Sequence, residues 1–444
     1  MPERVVRLGI DYGTSFSKIV FRDYGAPGGE KAYVMLTNGD FRTPSAVGVD
    51  GEEFIFGVDP SRQRRNPAMV WHESVKMRVA GEVKSNFGKY CHGTLLPLPT
   101  GFSAKDLAVL SVWFLISESK RAVREYLKSF SGTIAIGFTL GMPMSFFDDW
   151  ALRSTFLQIS RAAWELSKYH SIDERISFNE AERCLRSAYS AVKDSGDVLP
   201  GEIRDWIRTE AEAAIWWPFL SPAVGDGPYA QIDIGAGTTN ISIFRIVPKH
   251  TASGWVKASV TFFGAISPPI GMDAVDKAIT EWKGGNDVLE WRGREDQLLY
   301  GKLGNQLVLP EARQIHDAYK RTINKAFSEL LQGHAERHAW EDHKIFFLGG
   351  GSLVACLVEQ LCVSPLDPRR TLSAAALDVP PDIRSSDGRE VPAVMFPHVA
   401  VAYGLSAFSG ELPNIETPSE TAPMENVNPP SRRYQNIEMD EWRY

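Results

Sequence analysis

The sequence predicts an α/β protein of two similar lobes, each a mixed sheet flanked by helices, with smaller subdomains capping them. Three observations lead there. A hairpin with an Asp-x-Gly bend occurs twice, and Ile10, Asp11, Gly13 and Ile19 of the first copy match Ile232, Asp233, Gly235 and Ile241 of the second. A helically spaced stretch feeds an apolar strand between residues 103 and 142, the succession that builds α/β layers. A third apolar strand, FFL, ends in a glycine turn and an amphipathic helix over 346–361. Two copies of one hairpin imply two lobes presenting their turns to one another across a cleft.

Val5–Asp11 is apolar-rich, Tyr12–Ser15 reads as a turn, and Phe16–Phe21 resumes as the second strand of a tight hairpin. From Ala32 to Val58, short apolar runs alternate with Gly, Asn, Asp and Pro, as in a small meander, and 60–100 is irregular. Leu107, Leu110, Phe114, Val123 and Leu127 fall at helical spacing, and GTIAIGFTLGMP follows as a buried strand. Residues 146–217 read as almost wholly helical with a turn at 195–201, and 272–339 as a second long helical stretch before the strand KIFFL. The predicted organisation is lobe I over 1–222 with a capping subdomain at 36–102, then lobe II over 223–410. Lobe II carries a helical cap at 273–339, and its last helix returns to lobe I. Residues 411–444 are rich in proline and polar residues without apolar periodicity, so they are expected to be disordered.

Composition narrows the function classes. With 444 residues and 43% hydrophobic content the chain can bury a large core. The net charge of -7, with mixed signs, offers no basic stripe for a phosphate backbone, so no nucleic-acid partner is expected. The first residues, MPERVVRLGIDYG, hold no apolar run of signal-peptide length, and no stretch elsewhere reaches the roughly 18 apolar residues of a membrane helix, so no membrane partner and a cytoplasmic location are expected. The 4 cysteines, Cys91, Cys184, Cys356 and Cys362, lack zinc or redox spacing and read as reduced and structural.

The first turn suits a phosphate tail. Gly13 lets backbone approach closely, and successive amides with the Thr14 and Ser15 hydroxyls can donate to phosphate oxygens. Asp11, at the strand end, can hold water on Mg2+, which keeps most of its hydration shell. The second turn repeats the device with Asp233, Gly235, Gly237, Thr238 and Thr239. In the third, Gly350, Gly351 and Ser352 permit a flat ring to lie against backbone.

In this order the three turns resemble the phosphate-1, phosphate-2 and adenosine motifs of the actin/Hsp70/hexokinase ATPases, over about residues 5–410. NGDFRTPSAV (38–47) and NPAMVWHESVKMR (66–78) resemble segments of the Hsp70 (DnaK-like) nucleotide-binding domain in particular. The resemblance implies an actin-like two-lobe fold binding ATP and Mg2+ with slow hydrolysis, and a chaperone-like switch read by a protein partner or client. It makes Lys76 the catalytic lysine and gives Glu210, in TEAEAAIWW, the role of placing water; by pattern alone Glu210 reads as an exposed helix residue. Asp11 and Asp233 would hold the metal through water. Gly271 and Asp276, in SPPIGMDAVDKAI, match the second connecting segment, and Pro143 and Arg153 match a corner that relays nucleotide state.

The departures matter as well. Asn240 stands where the family has a second aspartate, and Val354 where a basic residue often packs the adenine. An added helical stretch lies between 160 and 205, and no peptide-binding domain follows AVAYGLSAF (400–408). An actin-like filament protein and a small-molecule kinase are the alternative readings on the same scaffold. NIEMDEWRY (436–444) reads as a solvated tail, and His334, His338 and His343 as a polar helix face rather than a metal site.

Overall fold

The computed structural model describes residues 3–37, 39–60, 69–84, 96–251, 254–274, 310–329 and 339–418. Within these the chain is mixed α/β, and contacts divide it into two compact units. Residues 1–142, 154–217 and 378–411 form the first, and 143–153, 218–377 and 412–444 the second. Among the described residues no helix is long and apolar enough to cross a membrane.

In chain order the elements begin with β1 (Glu3–Asp11), β2 (Phe16–Asp23), β3 (Lys31–Val34), β4 (Thr43–Pro44), β5 (Val47–Asp50), β6 (Glu53–Ile55) and β7 (Val70–His72). The helices α1 (Val75–Val83) and α2 (Ala104–Tyr126) lead to β8 (Thr133–Met142), then α3 (Met144–Phe147) and α4 (Trp150–Tyr169). Next come β9 (Arg175–Ser177), α5 (Phe178–Asp194), α6 (Ile203–Trp206), β10 (Ile207–Thr209) and α7 (Glu210–Leu220). They are followed by β11 (Gly227–Ile234), β12 (Thr239–Thr251), β13 (Gly254–Ile266), α8 (Pro310–Glu329), β14 (Lys344–Leu348) and α9 (Ala355–Leu361). The last are β15 (Ile383–Ser385), α10 (Phe396–Leu405) and β16 (Asn414–Glu416).

The first unit is built on a sheet ordered β10-β8-β1-β2-β3-β15, with β4 pairing to β2. β1 is antiparallel to β2 and parallel to β8, so the hairpin sits centrally. Val6, Leu8 and Ile10 are completely buried on one face of β1. On the other face Gly9 has no room for a Cβ, which would stand 2.5 Å from Ser406 N, so α10 packs directly on strand backbone. α2 is started by a capping box in which Ser103 and Asp106 satisfy each other's backbone amides, and its middle is buried along most of its length.

A smaller sheet in the same unit has the order β7-β5-β6-β9. Its fourth strand corrects the expectation that 146–217 is nearly all helix: β9 pairs with β6, and β10 joins the main sheet beside β8. Three-residue strands carry too few positions for a period-2 signal, and their partners lie far away in the chain. β15 pairs with β3 in parallel, and 378–411 belongs to the first unit.

The second unit carries a sheet ordered β14-β11-β12-β13-β16. The β11–β12 hairpin has the same antiparallel form as β1–β2, with Asp233 opposite Asn240, and β14 runs parallel to β11 as β8 does to β1. The expected helical cap at 273–339 is described only in part. Its segment α8 does not stand apart from the sheet: Ile315, Ala318, Tyr319 and Ile323, at helical spacing, are fully buried in one core with Ile232, Ile243, Ile345 and Leu357. The tail expected to be disordered from 411 contributes β16, whose Ile415 pairs with Val260 of β13.

Candidate functional site

In the first unit β1 delivers Asp11 to the hairpin bend, and Gly13 makes the bend possible. A Cβ there would overlap Phe16 O, so the backbone closes on itself too tightly for any other residue. Thr14 and Ser15 are half-buried at the tip, and Ser45 N donates to Ser15 O at 2.9 Å. The FRTPS segment thus pins the bend, reinforced by Ser17 and Ser45 hydroxyls 2.8 Å apart and by β4 pairing with Phe16 and Ser17.

Four ionisable groups gather beside this bend. Lys18, opposite Asp11 in the hairpin register, places Nζ 3.1 Å from Asp11 Oδ2. Lys76, in the first turn of α1, donates from Nζ to Glu210 Oε1 at the start of α7. Both members of this second pair are about 5% exposed, so Glu210 is not the exposed helix residue that pattern alone suggests. Burial pushes the Glu210 carboxyl above its ordinary range; Lys76 pulls it down, Asp11 adds to the rise, and Lys18 opposes it. Two carboxylates and two ammonium groups therefore share one electrostatic neighbourhood inside the first unit.

Small and buried neighbours shape the place for Glu210. A Cβ on Gly141 of β8 would stand 3.4 Å from Glu210 Cγ and 2.9 Å from Leu405 Cδ1. Arg208, two residues before Glu210 and wholly buried, donates to Gly404 O at 2.9 Å and Ala407 O at 3.2 Å, tying β10 to the end of α10. Burial, with repulsion from Arg7, lowers its pKa to about 10.

In the second unit three turns converge. Gly235 N donates to Thr238 O at 2.9 Å, closing the β11–β12 bend, while Gly237 and Thr238 are buried within it. Met272 N and Asp273 N donate to Gly235 O and Ala236 O, each at 2.9 Å. Gly271 is required by that contact, since a Cβ would lie 2.5 Å from Gly235 O. Thr239 is fully buried, and its hydroxyl donates to Ile270 O at 2.6 Å, holding the 268–273 segment.

The third turn begins at Gly349, with φ 73°, where a Cβ would overlap Asp233 Oδ1 and stand 2.5 Å from Ile234 O. Gly350, Gly351 and Ser352 follow in a single 3-10 turn. Gly351 packs against Ile234 and Met272, and the Ser352 hydroxyl donates to Gly349 O at 2.7 Å. Asp233, Gly235, Gly271, Gly350, Gly351 and Ser352 are thus brought together, whereas Asp276 lies outside the described residues.

Other candidates find structural roles. Pro143 is the N-cap of α3, and Arg153 sets its guanidinium 5.4 Å from the Phe147 ring centroid, both within the second unit. His343 is buried between Trp340 O, 2.6 Å from Nδ1, and the Tyr319 hydroxyl at Nε2, which commits both ring nitrogens; His334 and His338 lie outside the described residues. Among the described residues no three His, Cys, Asp or Glu side chains converge as a direct metal cage. Trp216 and Trp217 donate to Glu411 O and Asp378 O. Cys184 and Cys362 are buried free thiols.

Lys18 and Gly141 are the site residues that motif reading passes over. Lys18 was accessible from the hairpin register, which puts it opposite Asp11, and Gly141 from its position as a glycine inside a strand. The chain matches no protein-family model, and no curated protein is significantly similar to it.

Proposed function

We propose that the chain is an Hsp70-like ATPase of the two-lobe actin-like fold, binding Mg-ATP through its two Asp-x-Gly hairpins and signalling nucleotide state to a protein partner. The observation that carries the reading is the cluster of Asp11, Lys18, Lys76 and Glu210 beside a glycine bend. It is supported by the second copy of that bend, packed against Gly271 and Gly349. Carboxylates at the ends of two strands suit Mg2+, which takes one or two protein carboxylates and otherwise keeps its waters. The metal, when bound, neutralises the β- and γ-phosphates.

In this reading Thr14, Ser15, Gly235, Gly237 and Thr238 clamp phosphate oxygens, and Gly350, Gly351 and Ser352 face the adenosine. Asp11 and Asp233 orient metal-held water. Glu210 positions the attacking water, and its raised affinity for a proton suits it to accept one as the water's oxygen bonds to phosphorus. Lys76 stabilises charge on the transferring group. Glu210 holds Lys76 until nucleotide competes for it. The cytoplasm is the proposed compartment.

Phosphate release from Mg-ATP, measured over a range of protein concentrations with a Lys76→Ala control, tests this. Slow turnover at constant specific activity, lost in the control, is expected. Activity that rises sharply above a threshold concentration would instead identify a filament-forming ATPase, and absence of turnover would remove the ATPase assignment.

A further inference from the structure

Among the described residues Ser74 alone has positive φ without being glycine, at φ 55° and ψ 34°. It is buried and stands at the N-cap of α1, two residues before Lys76. Serine is a preferred N-cap when its backbone is extended and its side chain accepts from the first turn. Ser74 does neither: it is left-handed, and its side chain makes no cap hydrogen bond. Its carbonyl still starts the helix, accepting from Arg78 N at 3.0 Å. The usual benefit of the residue type is absent while the cost of the conformation remains.

A second departure lies beside it. His72, the last residue of β7, is 3% exposed, and neither of its ring nitrogens has a hydrogen-bond partner. A buried imidazole without partners is a cost that folded chains ordinarily remove. Two local costs within five residues, both immediately before Lys76, mark a segment whose geometry is set by something other than its own stability. The surrounding structure fixes both ends: β7 pairs with β5 through His72 and Val47, and the Lys76 ammonium is fixed on Glu210. The chain must reverse from strand to helix in Glu73 and Ser74. A left-handed residue at position 74 accomplishes this while leaving Lys76 in the first helical turn, aimed at Glu210.

We propose that Ser74 is a positioning residue for Lys76: its left-handed backbone sets the start of α1 so that the Lys76 ammonium reaches Glu210. The proposal rests on the reading of Lys76 and Glu210 as the ATPase pair, but its central claim concerns the geometry of the free protein.

The test is a series at position 74, Gly, Asn, Ala and Val, ordered by falling tolerance for the left-handed region. The readout is the rate at which an amine-acylating reagent modifies Lys76 in the nucleotide-free, full-length protein, scored by peptide mass and compared with Lys105. Ser74→Gly and Ser74→Asn, which relieve the left-handed cost, are expected to keep Lys76 at least as protected as the parent. Measured against Ser74→Gly, Ser74→Ala should speed its modification severalfold and Ser74→Val about tenfold or more, as expected for a left-handed cost of this size that glycine escapes. Lys105 should keep its rate. If Ser74→Val does not fold, Ser74→Ala against Ser74→Gly decides the question.

A Lys76 rate that is the same in all variants overturns the proposal, as does a rate that rises equally at Lys105, which would mark general loosening. Turnover is measured alongside: in an active parent, kcat should fall in the order of Lys76 exposure with KM for Mg-ATP changed less. A parent that hydrolyses nothing yet shows the graded protection would sink the ATPase reading and leave the positioning of Lys76 standing.

Discussion

Lys76 and Glu210, separated by 134 positions in the chain, form a buried ion pair beside the bend that carries Asp11. Two charges withdrawn from water are held by one another, and the arrangement makes each indispensable to the other. Removing one partner leaves an uncompensated buried charge, a loss of about 3–5 kcal/mol, whereas replacing both with apolar groups of like volume is often near neutral. Lys76→Met and Glu210→Leu are each expected to lower unfolding free energy by about that amount, and the double variant by much less. Urea denaturation of the four proteins gives the coupling directly. All three variants should lose phosphate release, so the double variant separates the pair's part in stability from its part in chemistry. Recovery of turnover together with stability would remove the pair from the reaction.

Gly349 gives a prediction for the second unit. Its φ of 73° already disfavours a side chain, and a Cβ would overlap Asp233 Oδ1. Gly388 has φ 88° with nothing within reach of a Cβ. Replacing both by alanine compares a positive-φ cost in open space with the cost at Gly349, where ψ of -176° is a region kept for glycine and a collision is added. Gly388→Ala should cost about 1 kcal/mol, and Gly349→Ala about 2 kcal/mol or more, with loss of Mg-ATP affinity because Asp233 must move. Equal losses in melting, with nucleotide affinity intact in both, would detach Gly349 and Asp233 from the binding site.

Three histidines predict a pH dependence; one of them, His398, is lowered to about 3 by burial, Lys18 and Arg42. Burial, with Arg78 nearby, lowers His72 to about 4, and burial lowers His343 to about 4 against the opposing effects of Trp340 O and Asp342. Between that value and about 6.5, the unfolded chain binds a proton that the folded chain refuses. Stability is therefore full above about pH 6.5 and falls as pH drops toward 4, by about 1.4 kcal/mol per pH unit for each histidine. Denaturant titrations at intervals from pH 7.5 to 4.5 should show this slope, shallower by about one proton in His72→Leu. An unchanged slope in that variant would mean that His72 titrates normally.

What the sequence made legible follows from how local each signal is. The hairpins around Gly13 and Gly235 were readable because strand, turn and strand lie within one short window, and a glycine at a bend has a stereochemical reason. The helix of 104–126 was readable from its apolar spacing. The partners of those elements were not. Glu210 looks exposed because it stands among small and polar residues and its ion-pair partner, Lys76, is remote in the chain; only resemblance singled it out. β9 and β10 were hidden by their brevity, and β16 because a proline-rich tail gives no sign that three of its residues pair with β13. The link made by Thr239 was equally hidden, since a hydroxyl that ties two turns together and one that meets phosphate have the same sequence. Ser74 carried no signal, since nothing in a serine announces a left-handed backbone.

Arg208 is the strictest test of how Glu210 is held. Its side chain is wholly inside the first unit, and its guanidinium is spent on the carbonyls of Gly404 and Ala407. Even with its pKa lowered to about 10 it carries a full charge at neutral pH, so the fold bears the cost of a buried cation. Arg208→Met would remove that cost but strand Ala407 O, while Gly404 O keeps Ala407 N as a donor at 3.2 Å. A stranded acceptor costs about 1–3 kcal/mol, so a net loss of about 1 kcal/mol is expected once the relief of the buried cation is set against it. Arg208→Lys, which retains a cation but loses the planar fork, should fall between them. Because β10 runs straight into Glu210, the loss of this anchor should also speed acylation of Lys76. If Arg208→Met is as stable as the parent and leaves Lys76 protected, then β10 is held by its pairing with β8 alone, and Glu210 owes its position to Gly141 and Leu405 instead.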